Sequence, residues 1–244
     1  MIRVIRPAAP PAVLAADGNV RSQEHCDAYT NGTREFQFDA AIYGHADVKR
    51  SLVAMHHGKC CYCESKVRHT GPGTIDHYRP KAASQQQVGA PFTRPGYYWL
   101  AYNWENLLFE CVACNQTHKR NLFPLIDDNQ RALSHFHPVA NETPALLDPS
   151  NPNDDPSNFI SFRAEYVFAL NGNQRGQTTI DILELNDRPD LVEQRREKIA
   201  VLRNIQNIVR LLPGTAEALE AQQFLNSTVL DTAQYAAMSR IFLQ

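Results

Sequence analysis

The sequence predicts an α+β fold braced by a four-cysteine zinc site, with helical elaborations at its N- and C-terminal ends. Three observations carry this reading. Cys60-x-x-Cys63 and Cys111-x-x-Cys114 repeat one knuckle spacing. Short β-like runs lie at 107–112, 159–162 and 166–170. Apolar residues recur at three- and four-residue steps in 44–58 and again after residue 187.

Composition bounds the answer before any motif is read. The chain has 244 residues, 43% hydrophobic and 20% charged, which excludes a disordered chain unable to offset its ordering entropy. Only 11 residues are Gly, which excludes collagen. No apolar run approaches the ~18–20 residues a membrane-spanning helix needs. A formal net charge of -2 excludes a strongly basic nucleic-acid coat. Length predicts one large or two small domains. The composition shift at 148–158 (DPSNPNDDPSN) suggests a linker between residues 1–147 and residues 159–244, or a turn-rich passage within one continuous domain.

At the start, Arg3 and Arg6 followed by Val13 to Ala16 faintly resemble a signal peptide. Pro7, Pro10 and Pro11 interrupt its apolar region, so the expectation is a cytoplasmic protein with a short first strand, Ile2 to Ile5. Residues 44–58 predict a helix on Val48, Leu52 and Met55, stopped by Gly58. Residues 82–98, rich in Ala, Ser, Gln, Pro and Gly, read as a loop or insertion. Leu107 to Val112 reads as a strand, and polar helix formers follow Cys114. Phe159 to Phe162 and Tyr166 to Leu170 read as two strands closed by the turn signal Asn171-Gly172. Asp187 offers a cap with Pro189 just inside the next helix, whose stripe runs from Leu191 through Arg195, Ile199, Leu202, Ile205 and Val209 to Leu212. Pro213-Gly214 ends it. Thr215 caps a second helix, and Tyr235, Met238 and Phe242 suggest a third.

In a reducing compartment, paired cysteines point to metal rather than to disulfides. A tetrahedral Zn²⁺ takes four thiolates at about 2.3 Å, and a two-residue gap turns both sulfurs of a knuckle toward one ion. Cys60, Cys63, Cys111 and Cys114 are the expected ligands; buried thiols or a redox motif are the alternative. Cys61 and Cys26 read as ordinary buried thiols, with Cys61 the alternative to Cys60 as ligand. Four thiolates saturate the ion, so this zinc is expected to be structural.

Between the knuckles stand Thr74-Ile75-Asp76-His77-Tyr78-Arg79-Pro80-Lys81 and Asn106-Leu107, and Asn115-Gln116-Thr117-His118-Lys119 follows Cys114. On a strand Asp76 and His77 face opposite sides, and a bend near Pro80 brings both toward one site. The order DH, NL and C-x-x-C-N with a following Lys resembles HNH endonucleases. CCYCE, TIDHYRPK, YYWLAYNWENLLFECVACN and NLFPL resemble the PtuB-like HNH nucleases of Septu and retron-associated anti-phage systems. ALLDPS and GQTTIDILELN are looser matches. The resemblance is most specific over residues 58–125.

It implies an HNH ββα-metal core and, position by position, a set of roles. Asp76 is a carboxylate ligand of a catalytic Mg²⁺ or Mn²⁺. His77 is the general base that takes a proton from the attacking water. Asn106 holds the loop that orients His77. Asn115 is the second ligand of the catalytic metal, in a place where the namesake pattern has His; His118, one turn on, is its rival. Arg79, Lys81, Lys119 and Arg120 surround the motifs and suit flanking phosphates. The span from His56 to Lys81 is locally basic, with Lys59, Lys66, Arg68, Arg79 and Lys81 against Glu64 and Asp76, so the net charge does not exclude nucleic acid. For His56, His57 and His69 a packing or surface role is the simpler reading. Tyr97, Tyr98, Trp99, Tyr102 and Trp104 suit either the core or base stacking.

No P-loop motif occurs, and the systems resembled pair the nuclease with a separate PtuA-like ATPase. The expected function is therefore metal-dependent cleavage of nucleic acid (DNA first, RNA second) beside such an ATPase, with the helices after residue 187 as a docking surface. The competing reading is a non-catalytic zinc-braced module that binds nucleic acid or the partner.

Overall fold

A computed structural model describes residues 1–67 and 71–244; Arg68 and His69, named above, lie outside the described residues. The chain opens without the expected first strand. Residues 1–7 run irregularly and are held by tertiary bonds instead. Val4 N–H donates to Pro149 O at 2.8 Å. The Arg6 guanidinium donates to Trp104 O (2.6 Å), Leu107 O (2.9 Å) and Ser150 Oγ (2.8 Å). These bonds satisfy the Pro149, Trp104 and Leu107 carbonyls.

Helix α1 (Asn19–Thr30) follows a wide turn, Leu14–Gly18. It buries only His25 among its residues, so it carries no apolar stripe. The short α2 (Ala40–Tyr43) is capped by Asp39, whose Oδ1 accepts from Ala41 N–H at 2.8 Å. Helix α3 (Ala46–Met55) buries Val48, Leu52 and Met55, the three residues whose spacing predicted it. His57 and Gly58, both at positive φ, turn the chain out of it into the first knuckle.

Strand β1 (Thr74–His77) pairs antiparallel with β4 (Leu107–Glu110) in the register Thr74↔Glu110, Ile75↔Phe109, Asp76↔Leu108 and His77↔Leu107. Between them, the stretch expected as a loop holds a minimal hairpin, β2 (Ser84–Gln85) with β3 (Phe92–Thr93). After β4, residues Ala113–Lys119 form a wide helical turn closed by Arg120 N–H to Asn115 O at 2.7 Å.

The expected hairpin is present as β5 (Ile160–Arg163) and β6 (Tyr166–Ala169). Its tight turn is Ala164-Glu165, with Ala164 at φ 53°, while Asn171-Gly172 lies after β6 and leads into α4 (Gln174–Ile182). Helix α5 (Pro189–Leu211) starts with Pro at its first position, but Arg188 rather than Asp187 precedes it, without a side-chain cap. Its stripe is buried from Leu191 to Leu202, and Leu211 and Leu212 are exposed. Thr215 caps α6 (Ala216–Thr228) through Ala218 N–H at 3.2 Å, and α7 (Ala236–Phe242) ends the chain.

Residues 148–158 do not separate two cores. One cluster of buried residues runs from Met1 and Leu52 through Leu147 and Ile160 to Met238. Asp154, inside that stretch, is buried and forms a forked ion pair with Arg175 of α4 (2.6 and 2.7 Å). The polar residues that suggest a linker in the sequence serve here as tertiary contacts.

Candidate active site and metal centre

The four knuckle cysteines converge. The Sγ atoms of Cys60, Cys63, Cys111 and Cys114 lie within 4.8 Å of one another, and Cys63 Sγ is 3.8 Å from Cys111 Sγ. Thiolates at about 2.3 Å on a tetrahedral ion stand roughly 3.8 Å apart. The donor set and the spacing therefore fit Zn²⁺. Cys114 N–H points at Cys111 Sγ (3.4 Å), and Arg188 Nη1 approaches Cys114 Sγ at 3.2 Å, so a cation faces the anionic cluster. Cys61 is buried outside the group, its N–H donating to Phe109 O (3.0 Å), and Cys26 is half-buried on α1. The cluster joins the first knuckle to the start of the 113–119 turn and closes the loop that contains β1.

A cleft of about 360 Å³ opens beside it, lined by Asp76, His77, Lys81, Asn115 and Arg120, with Pro80 and Gln116. Asp76 and His77 reach it together because the chain bends after β1. Asn106 holds that bend: its Oδ1 accepts from Arg79 N–H (2.8 Å), and its Nδ2 donates to Arg79 O (3.0 Å) and Leu100 O (3.1 Å). Both amide hydrogens and the carbonyl are used, and the residue is buried.

His77 Nε2 lies 2.8 Å from Ala101 O. A carbonyl only accepts, so Nε2 carries the hydrogen and Nδ1 is the free base. Lys81 Nζ stands 3.5 Å from Nδ1, and the Tyr43 ring meets the imidazole edge-on at 4.8 Å. Burial, and then the Lys81 charge, hold the His77 pKa well below its ordinary value. Asn115 Nδ2 donates to Thr74 Oγ1 (3.0 Å), which leaves its Oδ1 as the ligand atom it can offer. His118 turns elsewhere, its Nδ1 3.3 Å from Glu184 Oε2, and does not line the cleft.

Two of the four residues expected to meet phosphates stand elsewhere. Lys119 is fully buried; its Nζ lies 2.7 Å from Asp76 Oδ2, off the hydrogen-bonding line, and donates to His77 O at 3.0 Å. Arg79 pairs through Nε with buried Glu142 (2.8 Å) and lies over the Tyr78 and Phe123 rings. Both cations compensate buried carboxylates, which would otherwise be too costly to desolvate. Lys81 and Arg120 remain at the cleft. The aromatic run also resolves toward packing. Tyr98 stacks on Phe36 (4.4 Å), Tyr97 Oη donates to Glu142 Oε1 (2.7 Å), and Trp104 Nε1 donates to Pro7 O (3.0 Å). His56 is buried and His57 exposed.

One residue of the site carried no signal in the sequence. Glu110 lies on the same face of the β1–β4 hairpin as Asp76, because Asp76 faces Leu108 and alternate residues share a face. It is 0% exposed, and neither carboxylate oxygen has a hydrogen-bond partner. Burial, and then the Asp76 charge, raise its pKa well above the carboxylate range. Only the register, unknown from the sequence, reveals the neighbour.

These features define an α+β protein with a four-cysteine cluster that could hold a metal ion and an adjoining acid–histidine–amide cleft. Its sequence is similar to Septu protein PtuB of Bacillus mycoides (strain KBAB4), 35% identical over 198 residues, 80% of this chain and 66% of that protein. It is also similar to Septu protein PtuB of Bacillus thuringiensis, 26% identical over 218 residues, 87% of this chain and 64% of that one. A stretch of Septu protein PtuA of B. mycoides matches as well, 29% identical over 185 residues, 76% of this chain but 25% of PtuA. The chain is thus related to Septu proteins and spans just under two thirds of either PtuB. No protein-family model and no solved structure matches it. Among the described residues, no helix is long and apolar enough to cross a membrane.

Proposed function

We propose that the chain is a metal-dependent HNH endonuclease, with β1, β4 and the 113–119 turn as its ββα core. The observation that carries the reading is the cleft itself, where Asp76, His77 and Asn115 meet over a bend held by Asn106. The oxygens of Asp76 and Asn115 are hard donors at the cleft, and the unpartnered Glu110 carboxyl shares a strand face with Asp76, so the residues fit a Mg²⁺ or Mn²⁺ ion. Such an ion supplies positive charge to the phosphoryl oxygens and to the leaving oxygen. His77 Nδ1 takes the proton of the attacking water. Burial keeps it neutral and therefore ready to accept. Asn106 fixes the imidazole by fixing the backbone on its far side. Lys81 and Arg120 hold the phosphate, DNA first and RNA second. The P–O bond to the leaving oxygen breaks as the water oxygen bonds to phosphorus.

Its setting is anti-phage defence in a Septu-type system. In the B. mycoides PtuA relative, a segment similar to this chain makes up 25% of the protein and is covalently joined to the remainder. That arrangement supports action here beside a separate PtuA-like ATPase. The exposed Val201, Leu211, Leu219 and Phe224 on α5 and α6 offer that partner apolar side chains.

The test is plasmid nicking with Mg²⁺ or Mn²⁺, wild type beside His77→Ala, with and without the ATPase. Wild type is expected to cut and His77→Ala to lose about 10²–10⁴-fold. Equal activity, or no cutting under any of these conditions, sinks the nuclease reading and leaves the binding module.

A further inference from the structure

A second groove lies between α3 and the first knuckle. Lys49, Arg50, His57 and Lys66 line it over a floor that includes Val53 and Phe109. Among the described residues lining it, none is acidic. Asp47, nearby on α3, pairs with Arg50 and lies 3.7 Å from His45. Lys198 has its pKa lowered by burial and then by the charge of Lys66, so the two ammonium groups feel each other. Lys66 is exposed, and among the described residues no carboxylate pairs with it. Asp47 pairs with Arg50, but among the described residues Lys49 and Lys66 have no ion-pair partner, and a polyanion can neutralise charges gathered in this way.

The groove is also tied to the cleft. Lys49 Nζ donates to Gly73 O at 3.3 Å, immediately before β1, and has two donors left for a ligand. Along the same strand Ile75, Asp76 and His77 line the cleft. At ~3.3 Å per residue, Gly73 to Asp76 spans about 10 Å, roughly three base steps at the ~3.4 Å axial rise of one duplex strand.

We infer that this groove holds the sugar-phosphate backbone of a nucleic acid on one side of the cleft, about three base steps from the phosphate at Asp76. The placement relative to a scissile phosphate rests on the nuclease reading; the binding does not. The link from Lys49 through Gly73 to β1, whose Asp76 and His77 line the cleft, favours nucleic acid over an acidic segment of a partner protein.

The test uses the full chain in a non-cutting His77→Ala background. Anisotropy measures binding of a duplex DNA of about 20 base pairs, and of single-stranded RNA of that length, from roughly 50 to 200 mM salt. Lys66→Ala with Arg50→Ala is expected to weaken binding of at least one probe about tenfold or more and to reduce the slope of log K against log salt by about 2. Arg210→Ala, on the last turn of α5, is expected to change neither. Unchanged zinc content and circular dichroism establish that the double variant is folded. Unchanged affinity and slope for both probes overturn the inference. So does a double variant that loses the ATPase while keeping nucleic acid, since the groove then serves a protein. Nicking by the otherwise wild-type double variant with an unchanged slope rejects the groove alone. Binding that follows the expected slopes in a chain that never cuts rejects the nuclease alone.

Discussion

Lys119 and Asp76 form a buried ion pair, Nζ to Oδ2 at 2.7 Å, that joins the end of the 113–119 turn to β1 at the cleft. The same ammonium donates to His77 O (3.0 Å) and sits near the unpartnered Glu110. One cation thereby fixes the acid and the backbone of the histidine beside it.

Lys119→Met is therefore expected to behave as a stability mutant. It leaves Asp76 charged, buried and uncompensated, at a cost of about 3–5 kcal/mol. Adding Asp76→Asn removes the stranded charge and is expected to restore part of the loss. Urea unfolding checks both. A loss under about 1 kcal/mol in the single variant would show that the pair is not what anchors the turn.

Asn106→Ala strands the Arg79 N–H and two carbonyls in a buried place. Each stranded group costs about 1–3 kcal/mol, and the bend that aims His77 loosens. Nicking is expected to fall along with the urea midpoint. Asn106→Asp is expected to do no better than Ala, because a carboxylate keeps the acceptor for Arg79 N–H but faces both carbonyls with no donor. Full activity in Asn106→Asp would show that the donors do not matter.

Cys60→Ser is expected to lose bound metal and to misfold. Cys61→Ser is expected to retain about one zinc per chain, because Cys61 lies outside the tetrahedral group. Metal analysis of the purified variants decides. One zinc per chain in Cys60→Ser would refute the four-thiolate site.

Two buried groups give stability opposite pH dependences. Burial pushes His56 down to about 3, so between that value and its unfolded ~6.5 the unfolded chain binds more protons. Its contribution is present above ~6.5 and is lost as pH falls, by about 1.4 kcal/mol per unit. Glu110 has a raised pKa, so its contribution is present below about 4.5 and is lost as pH rises through the folded value. Urea midpoints measured between about pH 5 and 8, with zinc content followed in parallel, should flatten on the acid side in His56→Leu. They should flatten on the alkaline side in Glu110→Gln. Profiles parallel to wild type would remove either residue from the account.

The sequence alone determined what depends on near neighbours. The two-residue gap of each knuckle marks the four sulfurs that converge, and the spacing of Val48, Leu52 and Met55 marks the buried face of α3. Strand β4 and the β5–β6 hairpin were legible from short apolar runs. Helix α1 was not, since a helix that buries only His25 leaves no apolar period to read. Residues Asp76, His77, Asn106 and Asn115 were legible as a set, and the tertiary structure placed them around one bend. It alone decided that Lys119 faces Asp76 rather than solvent, that Arg79 meets Glu142 63 residues away, that Glu110 shares a strand face with Asp76, and that Asp154 ties the supposed linker to α4. Side-chain type and local spacing state what a residue can do. Which partner it meets depends on strand register and on contacts distant in sequence, and a buried charge accepts only a place where such a partner waits.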